Sequence, residues 1–156
     1  MTANYAPPLE CSVDIDAAPS EVWSLVRDVR RMREWSPQVT STRLRHGAED
    51  VALGVEFTNL NSNGELTWTT HGTVVRLDDL REIAFRIEEN WAIWSFTLEP
   101  TPQGGTTLIQ RRETPDGISD LSLQLTETHL GGHEVFTEVL KDGMRQTLAA
   151  ITSAVQ

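Results

Sequence analysis

The chain has 156 residues, with 13 basic against 23 acidic side chains and a formal net charge of −10. That length suits one domain over 1–156, with 1–8 as a flexible N-terminus, and folding it should bury roughly 70% of the surface that the unfolded chain exposes. So acidic a field disfavours phosphate backbones and anionic lipid heads, which argues against nucleic-acid and membrane-surface partners.

Residues 9–16 read LECSVDID, with Leu9, Cys11, Val13 and Ile15 on one face and Glu10, Ser12, Asp14 and Asp16 on the other, which predicts a strand with one dry side. Ala17-Ala18-Pro19 changes the period. Proline suits a first helical turn, Glu21 favours the positive helix start, and Val22, Val26 and Val29 recur at helical spacing, so a helix is expected over 19–28. A second short helix is expected over 31–35, ended by Pro37.

Short alternating runs then follow, separated by turn chemistry at 46–47, 61–64, 78–79, 88–90 and 100–105. They predict antiparallel strands over 39–45, 53–60, 65–77, 81–88, 91–99 and 106–113. Val55/Phe57, Ile83/Phe85/Ile87 and Trp94/Phe96/Leu98 mark the inward side. In 65–77 the alternation fails, because Trp68 and Val74 share one parity while His71, Val75 and Leu77 share the other; a bulge would explain this, and the inner face stays open. Residues 118–130 carry Leu121, Leu123 and Leu125 at period two without turn residues, and are read as loop with some order. After Gly131-Gly132 a helix runs to the end, with Phe136, Leu140, Met144, Thr147, Leu148, Ile151 and Val155 on one stripe and Glu138, Asp142 and Arg145 opposite. At 1.5 Å per residue it spans about 34 Å, enough to cross a whole sheet.

Strand, two short helices, six-strand meander and long terminal helix describe an α+β chain, and particular stretches add to the pattern. These are IDAAPSEVWSLVRDV from Ile15, REWSP from Arg33, FRI and WAIWSFTLEP ending at Pro100, the GGT turn from Gly104, and LKDGMRQTLAAI from Leu140. With them the chain resembles the START/Bet v 1-like (SRPBCC) superfamily, in its polyketide cyclase/dehydrase and lipid-transport-like branch. The resemblance implies a helix-grip fold: a curved seven-stranded antiparallel sheet wrapped around the C-terminal helix, two short helices between strands 1 and 2, and a pocket between sheet and helix. Periodicity puts Phe57, Phe85, Trp94, Phe96, Phe136, Leu140 and Met144 on one dry side, where they either close-pack or, as the resemblance implies for some of them, line that pocket. Trp68 and His71 join them as candidates for ligand contact. Trp35 of REWSP either lines the pocket mouth, its place in the family, or anchors the short helix.

Candidate chemistry is sparse. His71, mid-strand among threonines, is the candidate acid/base catalyst, since an imidazole titrates near neutrality, with a surface strand histidine as the bland alternative. Related aromatase/cyclases carry a pocket arginine on the corresponding strand, where this chain reads His71-Gly72-Thr73. Arg76, Arg111 and Arg112 also lie on strands, but adjacent Arg111 and Arg112 must face opposite sides, so at most one of them enters the pocket. His129, His133 and Glu134 make a poor metal set with Gly131-Gly132 between the histidines, so no metal and no cofactor is expected. Arg27, Arg30, Arg31 and Arg33 suit a solvated face. GxSxG, phosphate-loop and GxGxxG patterns do not occur.

Cys11 is a lone cysteine, the first ten residues lack a basic start and an apolar run, and 18 consecutive apolar residues occur nowhere, which together fit a cytoplasmic protein without membrane insertion. The expected function is binding of a small hydrophobic or amphipathic molecule as carrier, sensor or sequestering protein, with a homodimer as possible assembly. The alternatives are a cyclase/dehydrase-like enzyme using an inward titratable residue such as His71 or Glu56, and a co-chaperone-like interaction module presenting Trp91 on the outer sheet.

Overall fold

The structure, a computed structural model, describes residues 8–116 and 133–156, the side chains of 133–136 excepted. The expectations for residues 1–7, for 118–130, for His129, and for the side chains of His133, Glu134 and Phe136 lie outside the described residues.

Strand β1 (Leu9–Ile15) keeps the alternation of its sequence, and Ile15 is buried. Helix α1 (Pro19–Val26) begins at the proline and buries Val22, Trp23, Leu25 and Val26. It stops two residues short of the expected end for a physical reason. Asp28 is extended (φ −103°, ψ 100°) and its carboxylate accepts the N–H of Arg30 at 3.0 Å, so it caps the next helix instead of closing the first. That next helix, α2 (Val29–Glu34), is a 3-10 helix starting two residues earlier than expected. The Trp23 indole N–H donates to Asp79 at 2.9 Å and ties α1 to the sheet.

The remaining strands are β2 (Val39–Leu44), β3 (Glu56–Asn63), β4 (Leu66–Asp78), β5 (Glu82–Ile87), β6 (Ile93–Pro100) and β7 (Thr106–Glu113), followed by helix α3 (His133–Val155). They form one antiparallel seven-stranded sheet in the order β1-β7-β6-β5-β4-β3-β2, so the first two strands of the chain end up at opposite edges. Helix α3 lies against β1, β7 and α1, and its Leu148 and Ile151 complete the core. This is the expected α+β helix-grip architecture. Among the described residues no helix is long and apolar enough to cross a membrane.

Three strand boundaries differ most from expectation, and one is the start of β3, which lies at Glu56 instead of residue 53. The asparagines of 61–64 are strand residues, because the Asn61 amide donates to the carbonyl of Trp68 at 3.3 Å and to the Thr70 hydroxyl at 3.0 Å; the turn is only Gly64-Glu65, with Gly64 at φ +64°. Strand β6 starts at Ile93 because Trp91, at φ +64°, belongs to the turn that Asn90 closes by accepting the Ala92 N–H.

The broken alternation of β4 is resolved by a register shift between Val74 and Arg76 against β5. Trp68, Thr70, Gly72 and Val74 face inward, Val75 is the extra residue, and Leu77 recovers the inner side. At Gly72 the facing residue is Phe57, whose ring lies over the glycine so closely that a Cβ there would sit 2.4 Å from its Cζ.

A candidate ligand cavity

Between the inner face of the sheet, α2 and α3 lies a cavity of about 140 Å³. Sheet register builds most of its wall. Phe85 faces Trp94 across β5 and β6, and Trp94 faces Arg112 across β6 and β7, so one row of side chains crosses three strands. Asn59 opposite Thr70, and Asn61 opposite Trp68, supply the wall from β3 and β4. Trp35, just after α2, and Leu140 and Met144 of α3 close the other side.

Of the residues expected to touch a ligand, Trp35, Trp68, Phe85, Trp94, Leu140 and Met144 line this cavity. Trp35 also packs against the sheet, its ring meeting Phe96 edge-on with centroids 5.0 Å apart. Phe57 and Phe96 face the same side but are absent from the wall. They are core residues, 0% and 1% exposed, and Phe57 packs edge-on against Phe85 at 5.4 Å.

His71 requires a correction. Inward residues of β4 have even numbers up to the bulge, so His71 projects from the opposite face, away from the cavity. There its Nδ1 lies 2.5 Å from Glu89 Oε2, while its backbone N–H donates to Glu89 Oε1 at 2.7 Å, and this carboxylate fastens the turn after β5 to the strand. The potential ligand atoms of His71, Glu88 and Glu89 lie within 4.8 Å of one another on that outer side. Glu56 also points outward and pairs with Arg45. Trp91 is exposed on its turn.

Sequence reasoning left the cavity's polar members unnamed, apart from allowing one of two arginines. Asn59 and Asn61 are in phase with Phe57, and Gln110 and Arg112 with Leu108, so strict alternation from those buried neighbours would have found all four. Arg111 turns outward to Glu10, and Arg112 turns inward. Arg76 pairs outward with Glu82, and Arg27, Arg30 and Arg31 pair with Asp50, Asp28 and Glu34, so these cations are spent on surface carboxylates.

Arg112 differs from them. It is 7% exposed, its guanidinium carbon lies 5.8 Å from the centre of the Trp94 ring, and among the described residues it makes no ion pair and no hydrogen bond. Burial pushes its pKa down to about 10, because charge is disfavoured away from water. Gln110 Oε1 and the Trp35 indole nitrogen are likewise buried without partners among the described residues. Arg112 is also the one titratable side chain on the wall among the described residues.

Residues 9–156 match the family described as polyketide cyclase / dehydrase and lipid transport. The chain belongs to this family. No curated protein matches it. Solved structures share the fold. The Polyketide_cyc-like protein Cgl2372 from Corynebacterium glutamicum is 24% identical with a TM-score of 0.57, over 93% of this chain and 88% of that one. The major latex-like protein 151 from Panax ginseng is 11% identical with a TM-score of 0.70, over 96% and 97%. The di-domain ARO/CYC StfQ from the steffimycin biosynthetic pathway is 14% identical with a TM-score of 0.75; 97% of this chain covers 51% of that chain, about half its length.

Proposed function

We propose that this member of the polyketide cyclase / dehydrase and lipid transport family binds a small hydrophobic or amphipathic molecule in the cavity, as a carrier, sensor or sequestering protein. The observation that carries this reading is a wall of four aromatic rings and the α3 side chains Val139, Leu140, Met144 and Thr147, with no described carboxylate or imidazole on it. General acid/base turnover needs a group that exchanges a proton near neutrality within reach of the substrate. An arginine, even with its pKa at about 10, is a poor proton shuttle. A cyclase-like reading keeps one support, which is that Arg112 is placed to polarise a carbonyl oxygen inside the cavity.

Titrating the protein with a diverse library of hydrophobic molecules should give saturable quenching of tryptophan emission, with Trp35 and Trp94 as reporters, and a rise in unfolding temperature. Absence of any saturable signal sinks the binding reading. His71→Ala should leave ligand affinity unchanged, since His71 lies on the other face; a large loss there would contradict the assignment of the cavity as the site.

Met144 tests the cavity more directly. It is 1% exposed yet borders the hollow, so a tryptophan in its place should grow into that space. The expected result for Met144→Trp is an unfolding midpoint that holds or rises while affinity for any library hit falls at least about tenfold. In a packed interior the same change costs roughly 1 to 3 kcal/mol. A lowered midpoint with unchanged binding would mean that α3 closes a solid core at this point.

A further inference from the structure

We propose that the ligand of this cavity is a compact monocarboxylate with a ring-sized hydrophobic body, its carboxylate held by Arg112. The inference rests on the binding reading above and specifies its ligand class. A guanidinium taken out of water without a counter-ion is an expensive arrangement, and proteins ordinarily pair such a charge. Arg112 could have been paired as its neighbours are, since this chain carries 23 acidic side chains, and Arg111 next to it binds Glu10. Instead no described residue offers it an acceptor, and the space before it is the cavity. A ligand carboxylate supplies both the missing charge and the missing acceptor oxygens.

Two further observations shape the rest of the molecule. On the same wall the Trp35 indole N–H is a second buried donor, and Gln110 Oε1 a buried acceptor, without a partner among the described residues, so polar groups of the ligand have further sites to meet. The wall also carries the rings of Trp68, Phe85 and Trp94 beside the amides of Asn59 and Asn61, and a hollow of about 140 Å³ is close to the volume of about 150 Å³ that takes up one benzene molecule in a protein interior. A ring therefore fits where a long extended chain would have to leave the cavity. One negative charge is favoured over two, because a single guanidinium neutralises one and the protein's own field is strongly acidic.

The test compares acids with their uncharged amides: phenylacetate and 1-naphthylacetate against phenylacetamide and 1-naphthylacetamide, each titrated into the wild type, Arg112→Met and Arg112→Lys by calorimetry and tryptophan fluorescence. A charge-assisted hydrogen bond formed out of water should favour each acid about 10- to 100-fold over its amide in the wild type. Arg112→Met should erase that preference with amide affinity retained, and Arg112→Lys should keep part of it. Equal affinity for acid and amide in the wild type, or a preference that survives Arg112→Met, overturns the anionic ligand while leaving a hydrophobic site standing. If neither series binds while a neutral member of the broader library does, the ligand class is wrong and the cavity is still a site. If nothing in either set binds, both readings fall together.

Discussion

Arg112→Met should stabilise the ligand-free protein by about 2 kcal/mol, a direction opposite to that of most core substitutions. Desolvation holds the Arg112 pKa at about 10, well below the ordinary guanidinium value. At 1.36 kcal/mol for each pKa unit, that depression corresponds to roughly 3 kcal/mol of unfavourable burial. Below about pH 10 the folded protein bears this penalty in full. Between there and the ordinary value the unfolded chain binds more protons than the folded one, so this group alone makes stability rise with pH through that interval. Neutral pH therefore lies on the fully penalised side. Methionine removes the charge and forfeits the contact with Trp94, worth about 1 to 2 kcal/mol, but returns much of that through sulfur against the ring. In a chain of this size the net gain corresponds to a melting temperature higher by roughly 4 to 8 °C. A variant that melts lower than the wild type would mean that the guanidinium is held by partners in solution and is structural.

That a protein should keep a destabilising charge beside a hollow is the pattern expected of a binding site, where stability is exchanged for recognition. It also marks where sequence reading stopped short. Alternation made the core side of β1, β3, β5 and β6 legible, and Pro19, Pro37 and the glycine turns placed the helices and hairpins, because each of these signals acts locally. The inner face of β4 was not legible, since the extra residue Val75 reverses the parity halfway along and only its pairing with β5 fixes where. His71 fell on the wrong side of that ambiguity. Asn61 and Asn63 carry turn chemistry in their composition, yet Asn61 is held in the strand by donating to Trp68 and Thr70, a tertiary contact that overrides local preference. Arg112 had the right parity throughout. What the sequence lacked was the fact that no carboxylate among the described residues reaches it, which is a property of the folded surroundings and not of the strand.

The largest loss of stability should come from Phe57, a residue whose aromatic character suggested ligand contact and whose position makes it core. Fully buried, with its ring over Gly72 and edge-on to Phe85, it should cost about 3 to 5 kcal/mol when replaced by alanine, through lost burial and the cavity left behind. The partner position predicts a second, linked effect. A Cβ at Gly72 would lie 2.4, 2.7 and 2.9 Å from three atoms of that ring, which is fully buried and packed edge-on against Phe85, so Gly72→Ala alone should cost about 1 to 3 kcal/mol. In the Phe57→Ala background the obstacle is gone. There Gly72→Ala should be neutral or gain a few tenths of a kcal/mol, as expected for replacing glycine within a strand. Denaturant unfolding of the two single variants and the double variant therefore should give a favourable coupling of about 1 to 3 kcal/mol, far above what independent sites show. Additive costs would mean that ring and glycine do not touch in solution. Because Phe85 is a wall residue that packs against Phe57 from the cavity side, loss of the ring should also let Phe85 settle backwards, enlarging the hollow and weakening binding of ring-sized ligands even though Phe57 is not on the wall.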